Sequence, residues 1–286
     1  MKDKVTTIRE AVGRIRPGNI LAIGGVGRSR VPMGLIREVV RQRIGKLHLI
    51  GREVGMDFDL LIGAGLVRHV SAAYVGLEEM GLALNFRRAT EAGQLKVSEH
   101  ACRTVMLQVR AGAMGMPHLP VKGMLGSDLM RVNSEDLREF NCPFTGERLV
   151  AVRAVVPDVA IIHAQRADRY GNVQLRGARF EDVMMAQAAE ITIVSVEEIV
   201  SDEFIKQDAE RTSIPHMFVD AVVHLPRGAH PASCHMFYGS DRAHVMTYAE
   251  ATRTPESFQT YLKKYVYEVA DEAEYGTLIG EEAAHV

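Results

Sequence analysis

The chain has 286 residues, is 47% hydrophobic, and carries 34 basic against 36 acidic residues, a formal charge of −2. That is ample apolar material for one large core or two small ones, and a near-balanced charge without long like-charge blocks argues against nucleic acid or a membrane surface as the main partner. The stretch MKDKVTTIRE lacks a secretory apolar core, no apolar run approaches the roughly 20 residues that span a bilayer, and the three cysteines lie far apart, so a reduced, cytoplasmic setting is expected.

Residues 6–16 read as a helix with Ile8, Val12 and Ile15 on one face, ended by Pro17-Gly18. A strand is expected at 19–24 and a helix from Pro32 to Gln42. A short strand, Lys46 to Ile50, is followed by a helix from Asp57 to Ala64 with Asp57 as its cap. Val67 to Val75 alternates and is β-rich, 82–92 reads as a helix, Gln94 to Val97 as a strand, and 100–115 as a longer helix. Strands alternating with helices in this way predict a parallel sheet covered on both faces. Gly112 to Gly126 reads as a long surface loop, and 133–149 as irregular and polar. Strand patterns resume at Leu149–Val155, Val159–His163, Ile191–Val196 and Val219–Leu225. Pro255 to Val269 is helical in pattern, with Phe258, Leu262, Tyr265 and Val269 on one face, and a short helix is expected from Asp271. One α/β domain over 1–286 is expected, with 130–150 as the alternative boundary.

The stretch RPGNILAIGGVGRSRVPMGLIREV, from Arg16, is where this pattern points to a site. An apolar strand runs into Gly24-Gly25, a loop carries Gly27, Arg28 and Arg30, and Pro32 opens a helix. Strand, glycine turn and helix can bring backbone N–H groups and a positive dipole end over an anion. Many α/β domains make the same turn and bind nothing there. Gly25-Val26-Gly27 begins a dinucleotide fingerprint, but Arg30 stands where the third glycine belongs and Pro32 starts the helix several residues late. Glu53 is only a loose candidate for a ribose-binding acid, so a nicotinamide cofactor is the weaker reading.

Glu99 sits where a strand hands over to a helix, and in open α/β sheets the carboxyl ends of strands face the ligand crevice. A carboxylate there can act as a nucleophile or base, or merely complement the helix dipole. Asp168 to Asn172 reads as a turn, in which Asp and Asn bond their own backbone and Gly171 supplies positive φ. Ser127 is not in a G-x-S-x-G elbow, and the chain holds no such motif. Arg227 lies on a rigid Pro-Gly turn and could meet a phosphate or simply be solvated. The histidines at 216, 224, 230, 235 and 244 lack H-E-x-x-H spacing, and Cys234-His235 is not a zinc spacing, so no metal is expected.

Several of these stretches together resemble the α subunits of family I CoA-transferases, most of all the glutaconate CoA-transferase branch. The residues that carry it are Gly18, Leu21-Ala22-Ile23, Gly24-Gly25-Val26 and Pro32, then Arg110 to Asp128 ending in Gly-Ser-Asp, His163 to Val173, and Pro226 to Pro231. Pro17, Val26 and Arg30 depart from the family signature. The resemblance covers roughly Arg9 to Gly280. It implies a three-layer α/β/α sandwich with a mostly parallel sheet and a β subunit of similar fold, in an α2β2 assembly. It also implies coenzyme A as a substrate, no permanently bound cofactor, and a glutamyl-CoA intermediate between an acyl-CoA and a carboxylic acid. In that light Glu99 is the expected catalytic carboxylate, and Gly24, Gly25, Val26 and Gly27 the CoA-binding or oxyanion loop. Arg28 and Ser127 are expected on substrate or partner loops. Two other readings stay open. One is the α subunit of a steroid ring-opening CoA hydrolase, which Ser98-Glu99-His100 resembles at its active glutamate. The other is a non-catalytic module binding a phosphate ligand.

Overall fold

The computed structural model describes residues 1–284, with side chains as far as Gly280. Thr7 caps α1 (Ile8–Val12) by a reciprocal exchange with Glu10, each side chain accepting from the other's backbone N–H. β1 (Ile20–Ile23), α2 (Met33–Arg41), β2 (Leu47–Ile50), β3 (Glu53–Val54) and α3 (Met56–Gly63) follow. Next come β4 (Val67–Ala72), β5 (Tyr74–Val75), α4 (Leu84–Glu91), β6 (Lys96–Glu99) and α5 (Cys102–Ala113). The alternation expected over the first 115 residues is therefore present. Pro32 is the residue just before α2, and α3 is capped at Gly55. Asp57 does not cap α3 from outside; it bends back from inside the first turn to accept from Gly55 N at 2.6 Å.

The middle of the chain differs from expectation. The expected loop at 112–126 contains β7 (His118–Val121), and after α6 (Leu129–Val132) the stretch 133–149, irregular by pattern, contains β8 (Leu137–Asn141). Both pair antiparallel with β9 (Arg148–Arg153), giving a separate three-stranded sheet with β9 in the middle. Its core is small: Leu137, Val150 and Val152. Pro120 is tolerated because β7 is an edge strand.

The second half runs β10 (Val159–Asp168), β11 (Val173–Gln174), α7 (Asp182–Ala188), β12 (Ile191–Val200), α8 (Asp202–Gln207) and β13 (Ala221–His224). β10 and β12 are each longer than their apolar cores suggest. α9 (Arg242–Ala251), α10 (Pro255–Leu262) and α11 (Glu272–Ala284) close the chain. The helix expected over 255–269 is α10 continued by a wider π-type turn at Lys263–Tyr267.

The main sheet has the order β13-β12-β10-β1-β2-β4-β6, with β11 antiparallel on β10 and every other pairing parallel. From β1 the chain steps outward through β2 and β4 to β6. It then returns to the other side of β1 and steps outward again from β10. Strand order therefore reverses between β1 and β10, and a crevice opens outside the carboxyl ends at such a reversal. Leu21 and Ile23 point into the layer that holds α2, α3 and α10, while Ala22 points to the layer of α5 and α7. Ala22 and Ala160 are small, so Val105, Val109 and Met185 of those two helices pack close to the sheet. This is the three-layer sandwich with a mostly parallel sheet that the resemblance implied.

Candidate active site

The glycine loop leaves β1 at the reversal of strand order. Gly25 has φ +78 and Gly27 φ +56, the left-handed region where glycine is at no disadvantage. A Cβ at Gly25 would lie 2.6 Å from Ser29 O, and one at Gly24 would lie 2.5 Å from Asp182 Oδ1. The glycines are thus required by the protein's own close packing. The loop amides are also spoken for within the chain. Gly24 N donates to Ile161 O, Gly25 N to Asp182 Oδ1, Val26 N to Ser29 O and Gly27 N to Glu53 O, all at 2.9–3.1 Å. In this geometry the loop does not turn free N–H groups toward an anion.

The two arginines are committed as well. Arg30 is fully buried and pairs with buried Asp182 at 2.7 Å, while also donating to His163 O and Ala178 O. Asp182, at the start of α7, therefore ties Gly25, Arg30 and α7 together across the switch point. Nothing in its local sequence marks it for that task. Arg28 is half-buried and pairs with Glu78 at 2.9 Å and Glu79 at 2.7 Å.

Glu99 ends β6, paired with Ala72 of β4, and its side chain is exposed. Asn133 Nδ2 donates to its backbone carbonyl, which fixes the chain where it turns into α5. Glu53, whose carbonyl accepts from Gly27, also accepts from the thiol of Cys102 in the first turn of α5 at 3.6 Å. Arg52 lies between Glu53 and Glu181, at 3.9 and 3.3 Å. Burial pushes the Glu181 carboxyl above its usual range despite Arg52. The carboxyl-end face thus brings the glycine loop, Glu53 and the start of α5 beside the strand that presents Glu99. Ser127 is elsewhere, on an exposed turn between β7 and α6, donating to Met124 O at 2.7 Å.

Beside the glycine loop is a narrow cleft, bounded by Gly27 and Arg28, the start of α3, the turn after β5, Ala232 and α9. Asp57 is buried on its wall, and burial raises its carboxyl to about 6. The sequence pattern marks Asp57 only as a cap, because the residues that bury it come from distant segments.

Behind the loop lies a buried polar cluster. His163 on β10 meets Ser195 Oγ at 2.9 Å and Glu197 Oε1 at 2.7 Å, and Glu197 also accepts from Tyr238 OH and Arg227 N. Burial disfavours the Glu197 charge, but these donors hold its pKa below the usual range. Cys234 completes a group whose ligand-type atoms lie within 4.8 Å of one another. Both carboxylate oxygens are already bonded, and burial pushes the thiol up to about 12, so the donor set suits hydrogen bonds better than a cation. The turn at 168–172 has the geometry its residues imply. Asp168 Oδ1 accepts from Tyr170 N and Asn172 N at 2.9 Å, Asn172 Nδ2 donates to Oδ2, and Gly171 has φ +93.

Residues 5–225 match the family model described as Coenzyme A transferase. The chain belongs to the coenzyme A transferase family. It is 36% identical to the A subunit of glutaconate CoA-transferase from Acidaminococcus fermentans, over 97% of this chain and 92% of that one. The crystal structure of that organism's glutaconate coenzyme A-transferase superposes with a TM-score of 0.93, covering 97% of this chain and 93% of that chain. An uncharacterized protein of Archaeoglobus fulgidus is 40% identical over 98% of this chain, which spans 63% of that relative's length. Among the described residues of this coenzyme A transferase chain, no helix is long and apolar enough to cross a membrane.

Proposed function

We propose that this chain is the A-type (α) subunit of a two-subunit CoA-transferase, folded as one domain and working in the cytoplasm as an α2β2 assembly with a β subunit. It moves CoA between an acyl-CoA and a carboxylic acid. The observation that carries this reading is the 36% identity to the A subunit of a glutaconate CoA-transferase across nearly the full length of both chains. The exposed carboxylate of Glu99 at the carboxyl end of β6 is consistent with it.

The chemistry has four balanced steps. A glutamate carboxylate attacks the thioester carbonyl, forming a mixed anhydride and releasing CoA thiolate. The thiolate attacks the glutamyl carbonyl, giving a glutamyl-CoA thioester and the first carboxylic acid as its anion. The acceptor carboxylate attacks that thioester, giving a second anhydride and thiolate again. The thiolate then attacks the acceptor's acyl carbon, and the glutamate is regenerated. Each step exchanges one acyl bond for another of similar reactivity, so a difficult transfer is divided into easier ones. Glu99 is the carboxylate we assign to this chemistry. CoA lies against the outer face of Gly24, Gly25, Val26 and Gly27, with Arg28 and Ser127 on the loops around substrate and partner. Because the loop amides are engaged within the chain, oxyanion donors come from outside those four residues. Each such donor is typically worth about 3 kcal/mol.

The test is intact-mass spectrometry on the complex of this chain with its β partner, incubated with acyl-CoAs and treated with borohydride. Reductive trapping on this chain, abolished by Glu99→Gln, supports the assignment. Trapping on the partner, with Glu99→Gln still fully active, would leave Glu99 without a catalytic role. Consumption of acyl-CoA by water without trapping would replace transfer by hydrolysis. Tight phosphate-ligand binding with no partner and no turnover would sink the enzyme reading.

A further inference from the structure

Glu99 stands on an edge strand of the main sheet. β6 is terminal in the strand order and pairs with β4 over Lys96 to Glu99. An edge strand leaves one row of backbone groups outside the ladder, and its end is prone to local opening. Here the segment 133–136, which leads from α6 into β8, takes the place of the missing neighbour. Asn133 Nδ2 donates to Glu99 O, Glu135 pairs with Lys96 at 3.1 Å, and Asp136 Oδ2 lies 3.6 Å from Nε2 of the buried His100. The segment thus holds the chain before, at and just after Glu99, while the Glu99 side chain is left exposed. The hold is itself anchored. Asn133 is buried and ends α6, its N–H donating to Leu129 O and its carbonyl accepting from Asp136 N and Leu137 N at 2.9 Å. Leu137 in turn packs with Val150 and Val152 in the core of the small sheet.

We propose that Asn133 is a positioning residue for Glu99, and that the segment 133–136 is the means by which the small sheet serves the reaction. The inference rests on the assignment of Glu99 as the reacting carboxylate. Asn133 acts through Glu99, by fixing the peptide from which the carboxylate projects. A carboxylate that attacks a thioester carbonyl needs a fixed main chain, because a misplacement of about 1 Å can cost about 100-fold in rate. Little else steadies the chain just beyond β6. His100 N donates to Ala72 O, but the cap of α5 is Ala101, which supplies no side-chain hydrogen bond. Loss of the Asn133 donor therefore frees the stretch that joins β6 to α5.

Two measurements on the complex of the full chain with its β partner test this. The first is turnover of acetyl-CoA with glutaconate as acceptor. Asn133→Ala should lower kcat by about tenfold or more while KM changes by less than about twofold. Asn133→Ser, which keeps a donor, should lie between the Ala variant and wild type. In a Glu99→Gln background Asn133→Ala should cost nothing further in residual turnover, since a residue acting through Glu99 has no effect once that carboxylate is gone. The second is hydrogen exchange read by mass spectrometry, which needs no catalysis. Asn133→Ala should raise exchange of the peptide spanning 96–101 by about threefold or more and leave the peptide spanning 191–196 in β12 unchanged. Unchanged kcat in Asn133→Ala beside an inactive Glu99→Gln would overturn the inference and leave the Glu99 assignment standing. Unchanged exchange over 96–101, or a rise shared equally by β12, would overturn it as well. Full activity of Glu99→Gln would instead remove the Glu99 assignment and, with it, the positioning role, even if exchange over 96–101 rises.

Discussion

Removing the charge of Asp182 is the sharpest test of how the glycine loop is held. Asp182 accepts from Gly25 N at 2.9 Å and pairs with Arg30 at 2.7 Å, with both side chains essentially excluded from solvent. Asp182→Asn keeps an oxygen for Gly25 N but strands a buried guanidinium, which retains only the carbonyls of His163 and Ala178. Breaking a buried pair from one side costs about 3–5 kcal/mol. Asp182→Ala also orphans the Gly25 amide, adding roughly 1–3 kcal/mol. A domain of this kind holds about 5–15 kcal/mol in total, so the Ala variant should be near the limit of folding and the Asn variant clearly weakened. A loss of about 3 kcal/mol corresponds to a melting temperature lower by roughly 6–12 °C for a chain of this size. The assay is urea unfolding followed by far-UV circular dichroism, with the β partner held to one concentration for every variant. Arg30→Met in the Asp182→Asn background removes both charges, so the double variant should cost less than the sum of the singles by about 2 kcal/mol or more. A shift below about 0.5 kcal/mol for Asp182→Asn, or strict additivity in the cycle, would show that the pair does not hold the loop.

Other outcomes are equally specific. Gly25→Ala forces a side chain into a backbone with φ +78 and to within 2.6 Å of Ser29 O; it should cost about 2 kcal/mol or more in the same unfolding assay and lower turnover of the complex. Asp168→Ala loses three hydrogen bonds at the turn after β10, and a loss of about 2–3 kcal/mol is expected, with Asp168→Asn in between. Asp57 titrates at about 6 in the folded chain because it is buried. Its folded pKa lies above the unfolded value, so the native state binds the extra proton between about pH 4 and 6, and stability falls as pH rises through that window. The loss is on the order of 3 kcal/mol, and the difference between wild type and Asp57→Asn, measured by urea unfolding from pH 4 to 8, should follow it. A difference that is flat across that range would mean Asp57 ionises normally. Glu99→Gln, on an exposed side chain, should change stability by less than about 0.5 kcal/mol while abolishing turnover, which separates a chemical role from a structural one.

What the residues determined alone are the features whose partners lie a few positions away. The strand–glycine–helix unit at Ile20 to Arg41, the Asp168–Asn172 turn and the alternation through α5 follow from local sterics, short-range hydrogen bonds and periodicity, and the sequence shows each of them. The family resemblance is carried by the same local stretches, which is why it is readable without the fold. Three things were decided only in space. The short, half-exposed strands β7 and β8 carry Pro120 and several charges, so their pattern reads as loop until β9 pairs with both. The reversal of strand order needs β10 to return beside β1 across more than a hundred residues, a choice made by burial of Ile161 and Val159 against the common core and not by any local signal. Arg28 and Arg30 look available to an anion in the sequence because their neighbours offer no acid. Their acids come from Glu78, Glu79 and Asp182, far along the chain, since a buried or crowded guanidinium is stable only where the fold supplies a carboxylate.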